Sequence, residues 1–256
     1  MSHTGRHAIA LSLLLLLGGC AGGDYSWGWH VVSPFDERGV TNIMFLAKGL
    51  GLTISVAVVS ICLSVTLGLL FALPTLSANR YLAGASRAYI ELFRSIPMLV
   101  MILWVYYGVP VVLGIQLGVF VAGVIALALC DSAFEAEIFR AGLQSIDPGQ
   151  REAADALGLN YRDKLRYIIL PQAVRRILPP LGNQFVYMLK TSSLLSVIGL
   201  SELTRRANEL VVTEYRPLEI YSFLVLEYLV LILIASRGVR WLERRMARGD
   251  RGAARL

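Results

Sequence analysis

The sequence predicts an all-α polytopic membrane protein. Hydrophobic residues make up 56% of the 256 positions and charged residues only 16%. The apolar residues are grouped in runs, several of which approach the roughly 20 residues that a helix needs to cross the hydrocarbon core of a bilayer. Most arginines lie beside the ends of these runs, as the positive-inside rule expects for cytoplasmic loops. We therefore expect the protein's core to be a bundle of membrane-spanning helices.

Composition also excludes several classes of function. The formal net charge is +6, but the placement of the arginines is explained by membrane topology, so we expect no nucleic-acid partner. The three cysteines, Cys20, Cys62 and Cys130, are widely spaced. The three histidines, His3, His7 and His30, all precede the first confident span. The sequence therefore predicts no disulfide framework, no metal site and no His-based catalytic site, and no cofactor is expected.

The N-terminus resembles a targeting segment. Residues 1–20 contain a basic start, an apolar run at Ala8–Leu17 and small residues before Cys20. The run is too short to span a bilayer, which indicates a signal peptide or short anchor, and the Leu-Gly-Gly-Cys ending leaves lipidation of Cys20 as an alternative. Residues 21–48 are predicted to be periplasmic. Their aromatic residues, typical of a membrane interface, are Tyr25, Trp27 and Trp29.

A transmembrane domain is predicted over residues 49–245. Its five spans are expected at about residues 49–73, 96–112, 119–139, 177–200 and 220–236. With the N-terminus outside, this topology places three arginine-rich regions in the cytoplasm: a loop at residues 77–95, a long loop at residues 140–176, and the C-terminal tail, residues 246–256. Charge and span count thus predict the same orientation.

Several polar residues interrupt the third and fourth spans. Asp131 and Glu135 lie one helical turn apart on one face, whereas Glu137 is expected at the inner interface beside Arg140. In the fourth span, Pro179 and Pro180 are expected to prevent a straight helix entry. Lys190 is either a structural cation or a pathway residue. The candidate translocation-path residues are Asp131, Glu135, Asn183, Gln184, Lys190, Thr191, Ser192 and Ser193.

Residues 150–171 form a long polar interval between the spans, and a short capped helix is predicted at its start. Asp147 is expected to cap it, with Pro148 at the first position, Gln150 closing a capping box and Gly158 as a left-handed stop. Glu152 lies in its first turn, where negative charge is favourable. A second helix is predicted at about residues 161–169, ending before Pro171. A shared small-residue face is expected from Ala153, Ala154 and Leu157.

This interval resembles the EAA loop of permease subunits of binding-protein-dependent ABC importers. The matching positions are Glu152, Ala153, Ala154, Gly158, Ile168, Leu170 and Pro171. Three flanking segments narrow the resemblance to polar amino acid permeases: AYIELFRSIPMLV at residues 88–100, AEIFRAGLQSIDPGQREAADALGL at residues 136–159 and ILPQAVRRILPPLGNQF at residues 169–185. The resemblance covers roughly residues 45–245 and leaves out the signal-like N-terminus.

The resemblance implies a five-span, MetI-like type I importer core in the bacterial inner membrane. It implies a cytoplasmic ABC ATPase dimer, a second permease subunit, a periplasmic substrate-binding protein and membrane lipid as partners. It also implies that seven residues couple the permease to the ATPase: Glu152, Ala153, Ala154, Leu157, Gly158, Leu170 and Pro171. The chain has no GxxxxGK[ST] phosphate loop, HExxH motif or nucleophile elbow, so it is expected to be a transport subunit and not an enzyme.

The resemblance identifies the class of transporter more specifically than it identifies the substrate. Residues 93–107, FRSIPMLVMILWVYY, are most similar to glutamate/aspartate-type permeases. The segment SSLLSVIGLSEL, residues 192–203, is similar to several amino acid systems, and Thr191 stands where the family often has Asp or Asn. An importer for another small solute, such as a sugar or an oligopeptide, is the alternative.

Overall fold

The computed structural model describes residues 25–253, with side chains as far as residue 246. The predicted signal segment, Cys20 and the last three residues lie outside the described residues. Within them the chain forms helices and turns and no strand. The main helices are α1 (Glu37–Thr75), α2 (Arg80–Ser95), α3 (Met98–Leu113, with a π-helical turn at Trp104–Gly108), α4 (Val119–Gln144), α5 (Pro148–Ala156), α6 (Leu170–Thr191), α7 (Leu203–Glu214) and α8 (Pro217–Ala253).

The pair α1 and α4 forms the centre of the bundle. Asp36 caps α1 by accepting a hydrogen bond of 2.9 Å from the backbone N–H of Arg38. The helix therefore begins 12 residues before the predicted span at residues 49–73, and residues 37–48 belong to it. Small residues, including Ser64 and Gly68, face α4 and are buried. They let the two backbones approach closely, as expected for helices packed in a membrane.

Residues 80–95, predicted as part of a cytoplasmic loop, form helix α2. Asn79 caps it by accepting hydrogen bonds from the N–H groups of Tyr81 and Leu82. Ile90 on its buried side packs against α4 residues such as Ala133. Because Pro97 disfavours helical geometry at the preceding residue, Ile96 is extended (φ −85°, ψ 125°) and the axes of α2 and α3 meet at 99°.

The proline residues do not end helices where the sequence suggested. The helix predicted to stop before Pro171 continues into α6 through a π-helical segment, Lys164–Ile169. In this segment the N–H of Leu170 bonds to the carbonyl of Leu165, five residues back. This wider turn accommodates a proline ring beside the helix axis. Pro179 and Pro180 likewise lie inside α6, so the helix continues through them, and their effect on its straightness stays a prediction.

Three helices of the described part are long and apolar enough to cross a membrane: α1, α4 and Pro217–Met246 of α8. The bent α2–α3 pair makes a fourth if it counts as one span. The span predicted at residues 177–200 corresponds to α6 and a following 3-10 helix, Ser192–Ile198. This segment is too polar for the same criterion, so the total of five spans stays a prediction.

We predict that Gly49→Ala lowers the stability of the fold and that Gly51→Ala in the same helix does not. A Cβ atom at position 49 would lie 2.7 Å from the backbone nitrogen of Leu203 in α7, whereas position 51 has open space within 4 Å. Overpacking against backbone costs about 1–3 kcal/mol. The exposed change should be neutral or stabilise by up to about 1 kcal/mol through helix propensity.

Thermal unfolding of both variants in detergent checks this expectation. Equal melting temperatures for the two variants would contradict the close approach of α1 and α7.

Candidate functional site

Helix α5 has both of its predicted ends. Asp147 accepts a 2.8 Å hydrogen bond from the N–H of Gly149, and Pro148 takes the first helical position. At the other end Gly158 has φ +72°, in the left-handed region. The N–H of Leu159 bonds to the carbonyl of Ala154 at 3.1 Å, which completes a Schellman-type stop. The capping box expected from Gln150 is not made; Gln150 instead accepts a 3.2 Å hydrogen bond from Gln172.

The residues predicted to share one face of α5 point in different directions. Ala154 is 2% exposed and packs inward, whereas Leu157 is 78% exposed. Glu152 and Ala153 are also exposed. A helix of nine residues must use one side to pack against its own chain, and Ala154 occupies that side. The outward surface of α5 is therefore formed by Glu152, Ala153 and Leu157.

Polar contacts attach α5 to the helix that follows it. The Lys164 ammonium lies 2.5 Å from an Asp155 carboxylate oxygen, and Gln150 bonds to Gln172. The Arg176 guanidinium donates to the carbonyl of Ser145, just before α5 begins. Both ends of α5 are thus connected to the stretch from Lys164 to Arg176, which includes the first turns of α6. The predicted Leu170 and Pro171 lie in this stretch, exposed, at the start of α6.

Asp131 is fully buried at the junction of three helices. Its two carboxylate oxygens accept hydrogen bonds from Ser64 of α1 at 2.8 Å and from Gln184 of α6 at 2.5 Å. Glu135, one turn further along α4, is also fully buried, and among the described residues its two oxygens have no hydrogen-bond partner. Gly68 leaves room for it, since a Cβ there would lie 2.5 Å from the Glu135 Cβ.

The other candidate path residues do not form one surface with Asp131. Asn183 and Lys190 are exposed on α6. Three hydroxyl groups bond to carbonyls of their own helical turns: Thr191 to Tyr187, Ser192 to Leu189 and Ser193 to Lys190, at 3.0, 2.8 and 2.7 Å. Each of these hydroxyls donates its hydrogen to the backbone of its own turn, so none of the three is left to donate to a solute.

Near the C-terminal end of α4, Glu137 lies beside Arg140 as expected, and the two form an ion pair. The guanidinium lies 2.5 Å from the carboxylate, and both side chains are about one-third exposed. Within residues 25–246, no three His, Cys, Asp or Glu side chains are grouped so that they could hold a metal ion.

Sequence reasoning missed two buried carboxylates at the opposite end of the bundle. Glu202 caps α7 and accepts hydrogen bonds from the N–H of Arg205 at 2.8 Å and the hydroxyl of Tyr228 at 2.9 Å. Burial raises the pKa of the Glu202 carboxyl. Glu219 accepts from the N–H of Gly28 at 2.6 Å and from the Tyr25 hydroxyl, whose pKa this bond raises. The contacts with Tyr228, Gly28 and Tyr25 join residues 26 to 194 positions apart, so local patterns could not reveal them; the cap on Arg205 is local and could have been found.

Long apolar helices packed around buried polar groups define a helical membrane protein. The chain belongs to the family described as the binding-protein-dependent transport system inner membrane component, which matches residues 64–248. Its bundle has the MetI-like fold of type I importer permeases.

Relatives with assigned transport systems cover most of the chain. It is 36% identical over 211 residues to the arginine transport system permease protein ArtQ of Bacillus subtilis (strain 168), which covers 82% of this chain and 96% of the relative. It is 36% identical over 205 residues to the glutamine transport system permease protein GlnP of Escherichia coli (strain K12), covering 80% of this chain and 94% of the relative.

Solved structures agree on the fold. An amino acid ABC transporter crystallised with histidines matches with a TM-score of 0.76 and 40% identity, over 80% of this chain and 96% of that one. A chain of the inward-facing MetNI methionine ABC transporter matches with a TM-score of 0.68, over 80% of this chain and 97% of that one. At 20% identity, the second likeness shows the fold alone.

We predict that Asp131→Ala destabilises the bundle, whereas Glu135→Gln does not. The first change leaves the Gln184 amide without its acceptor, at a cost of about 1–3 kcal/mol, and leaves the Ser64 hydroxyl with only the carbonyl of Ile61 in its own helix. The second replaces a carboxyl that has no hydrogen-bond partner among the described residues with a neutral group of the same shape.

Unfolding in detergent, followed by near-UV circular dichroism, measures both variants. If Asp131→Ala melts with the parent, the carboxylate does not hold the three helices together.

Proposed function

We propose that this chain is the permease subunit of an ATP-driven importer of polar amino acids, and that α5 is its contact with a cytoplasmic ATPase dimer. The observation that carries the proposal is an exposed leucine on a short helix with two well-made ends, inside the EAA-type sequence of a family member. Leu157 is 78% exposed although it is apolar. A partner groove that accepts a short helix would bury it.

The attachment of α5 supports transmission of movement. Lys164, the partner of Asp155, is the first residue of the π-helical segment Lys164–Ile169, and Gln172, the partner of Gln150, follows that segment on α6. A displacement of α5 would therefore move the start of α6 with it. We infer that ATP-driven closure of the ATPase dimer shifts α5 as a rigid body and rocks α4 and α6 between outward and inward openings. Glu152, Ala153 and Gly158 belong to the same contact.

Charge supports an N-terminus in the periplasm and a C-terminus in the cytoplasm. Arg80, Arg87 and Arg94 of α2, the arginines around α5 and those of α8 from Arg237 onward then all lie on the cytoplasmic side. In this orientation α7 and residues 25–33 face the periplasm, where a substrate-binding protein would deliver the solute. A second permease, identical or paralogous, would complete the path.

The solute is proposed to be a polar amino acid, with glutamate or aspartate as the first candidate. The relatives named above transport arginine and glutamine, and each amino acid carries an α-carboxylate. Lys190 is exposed on α6 at a position where the predicted span lies in the membrane, and a cation there would attract a carboxylate. Asn183, two turns away on the same side, offers an amide for a second contact.

We predict that Leu157→Ser reduces ATP-dependent uptake by about tenfold or more, because an apolar contact at the centre of an interface is worth 1.4 kcal/mol or more. The matched control is Val212→Ser on α7, which is 69% exposed but on the proposed periplasmic side. Uptake of labelled amino acid is measured in vesicles that contain the complete importer.

Gly158→Asp tests the same contact, because it places a charged side chain directly beside Leu157, where burial in a partner groove would be unfavourable. Undiminished coupling in both Leu157→Ser and Gly158→Asp, at normal expression, would count against the ATPase contact.

We predict that Lys190→Gln lowers the uptake of glutamate more than that of glutamine. Loss of a charge-assisted hydrogen bond to a side-chain carboxylate corresponds to about 1.5–3 kcal/mol, or roughly tenfold or more. Lys190→Arg should retain most of the activity. Competition between labelled and unlabelled amino acids in the same vesicles gives the ratio.

An equal loss for both solutes would mean that Lys190 contacts the α-carboxylate or has a structural role only. Uptake of a sugar or peptide and of no amino acid would favour the alternative, an importer for another small solute.

A further inference from the structure

Helix α2 turns sharply away from the direction of α3. The two axes meet at 99°, so a membrane-spanning α3 places α2 close to the bilayer plane. On α4, the Ser132 hydroxyl lies 2.7 Å from that of Tyr89, and the Phe134 ring centroid lies 5.5 Å from the Arg94 guanidinium. These α4 residues precede the end of the predicted span, residue 139, by roughly 8–10 Å at a rise of 1.5 Å per residue. Helix α2 therefore lies at the level of a membrane interface.

Three sides of α2 differ in character. The side that packs on the bundle is buried: Ala83, Ser86 and Ile90. A second side is exposed and apolar, with residues at helical spacing: Tyr81, Ala85, Ala88 and Leu92. A third, also exposed, carries the charges: Arg80, Arg87, Glu91 and Arg94. An exposed apolar side next to a basic one is the pattern of a helix that lies in the plane of a membrane interface.

The charged side of α2 is basic and is not neutralised within residues 25–246. Three arginines stand against Glu91 alone, and none of the three forms an ion pair there. Arg80 donates a 3.1 Å hydrogen bond to a neighbouring tyrosine hydroxyl, and Arg94 contacts an aromatic ring of α4. The Arg87 guanidinium has no polar contact in this part of the chain. Each guanidinium has five N–H donors, so most of them are free for an anion.

We propose that α2 is an interfacial helix that binds the anionic phospholipids of the cytoplasmic leaflet. Its apolar side lies among the upper acyl chains, and its arginines contact the phosphates. Amphipathic helices of this kind bury their apolar side by about 5–10 Å, and basic residues at this level attract anionic lipid. The inference rests on the proposed orientation and does not depend on the transported solute.

Charge and depth favour lipid over a protein partner on this surface. A second copy of the chain would bring the same unneutralised arginines against the first, and like charges repel. A cytoplasmic ATPase does not reach an apolar side that lies at the depth of the acyl chains. Tyr81 and Leu92, 73% and 57% exposed, would remain in water if no lipid covered them.

Spin-label depth measurements test the apolar contact in the assembled importer, purified in nanodiscs that contain phosphatidylglycerol. A nitroxide is attached to Leu92→Cys or Arg87→Cys in a chain whose native cysteines are replaced by alanine. Each label is exposed to oxygen, which concentrates in hydrocarbon, and to a water-soluble nickel chelate. Reference labels are Val225→Cys, 64% exposed in the apolar part of α8, and Phe35→Cys, 98% exposed before α1. The label at position 92 should resemble that at position 225, and the label at position 87 should be more accessible to nickel.

Two results would overturn the apolar contact. A label at position 92 that resembles the one at position 35 would place this side of α2 in water. Exclusion of both oxygen and nickel would place protein on it, either a second copy or the ATPase.

Hydrogen exchange of the α2 amides tests the headgroup contact without replacement of any cysteine. In the parent, residues 80–95 should exchange more slowly in nanodiscs with phosphatidylglycerol than in phosphatidylcholine alone. Arg87→Gln should reduce this difference by up to about fivefold, because one arginine near an anionic surface is worth about 1 kcal/mol. Glu91→Gln, on the same side of α2, is the matched control and should enlarge the difference.

Equal exchange of the parent in the two lipids, or a change of the same sign in both variants, would overturn the headgroup contact. Because both measurements report on lipid and not on uptake, their failure is distinguishable from a failure of the proposed transport function.

Discussion

The buried carboxylate of Asp131 is the interaction on which the arrangement of the bundle depends. Hydrocarbon offers no hydrogen-bond partner, so a polar group at membrane depth is stabilised by partners within the protein or by a water-filled cavity. Asp131 finds them on two other helices, through Ser64 of α1 and Gln184 of α6. These two bonds fix α1, α4 and α6 relative to each other. The fit of Gly68 against Glu135 is then possible only in this register.

The same constraint explains how polar residues are distributed along α6. Thr191, Ser192 and Ser193 bond to their own backbone and need no other partner. Asn183, Tyr187 and Lys190 are exposed at helical spacing. Hydrocarbon cannot solvate an amide or an ammonium group, so this side of α6 requires a polar neighbour. The proposed water-filled path shared with a second permease would satisfy that requirement, whereas a position facing lipid would not.

Features set by neighbouring residues could be predicted, and those set by packing could not. Asp147 and Gly158 limit α5 as expected, because capping and a left-handed stop are local. The inward position of Ala154 depends on which side of α5 meets its own chain, and no periodicity in nine residues can encode that. Likewise, a π-helical turn allowed Pro171 to continue a helix, while Glu219 acquired partners 191 and 194 residues away.

The position of the π-helical turn bears on how movement would reach the membrane. Such turns weaken a helix locally and often lie at functional sites, so an isolated π turn at Lys164–Ile169 could bend and absorb a displacement. Here α5 holds both ends of the turn: Lys164, its first residue, is paired with Asp155, and Gln172, three residues after its last, is bonded to Gln150. A force on Leu157 would therefore pass into α6 rather than into the turn, and from Gln184 to the carboxylate of Asp131 that holds α1 and α4.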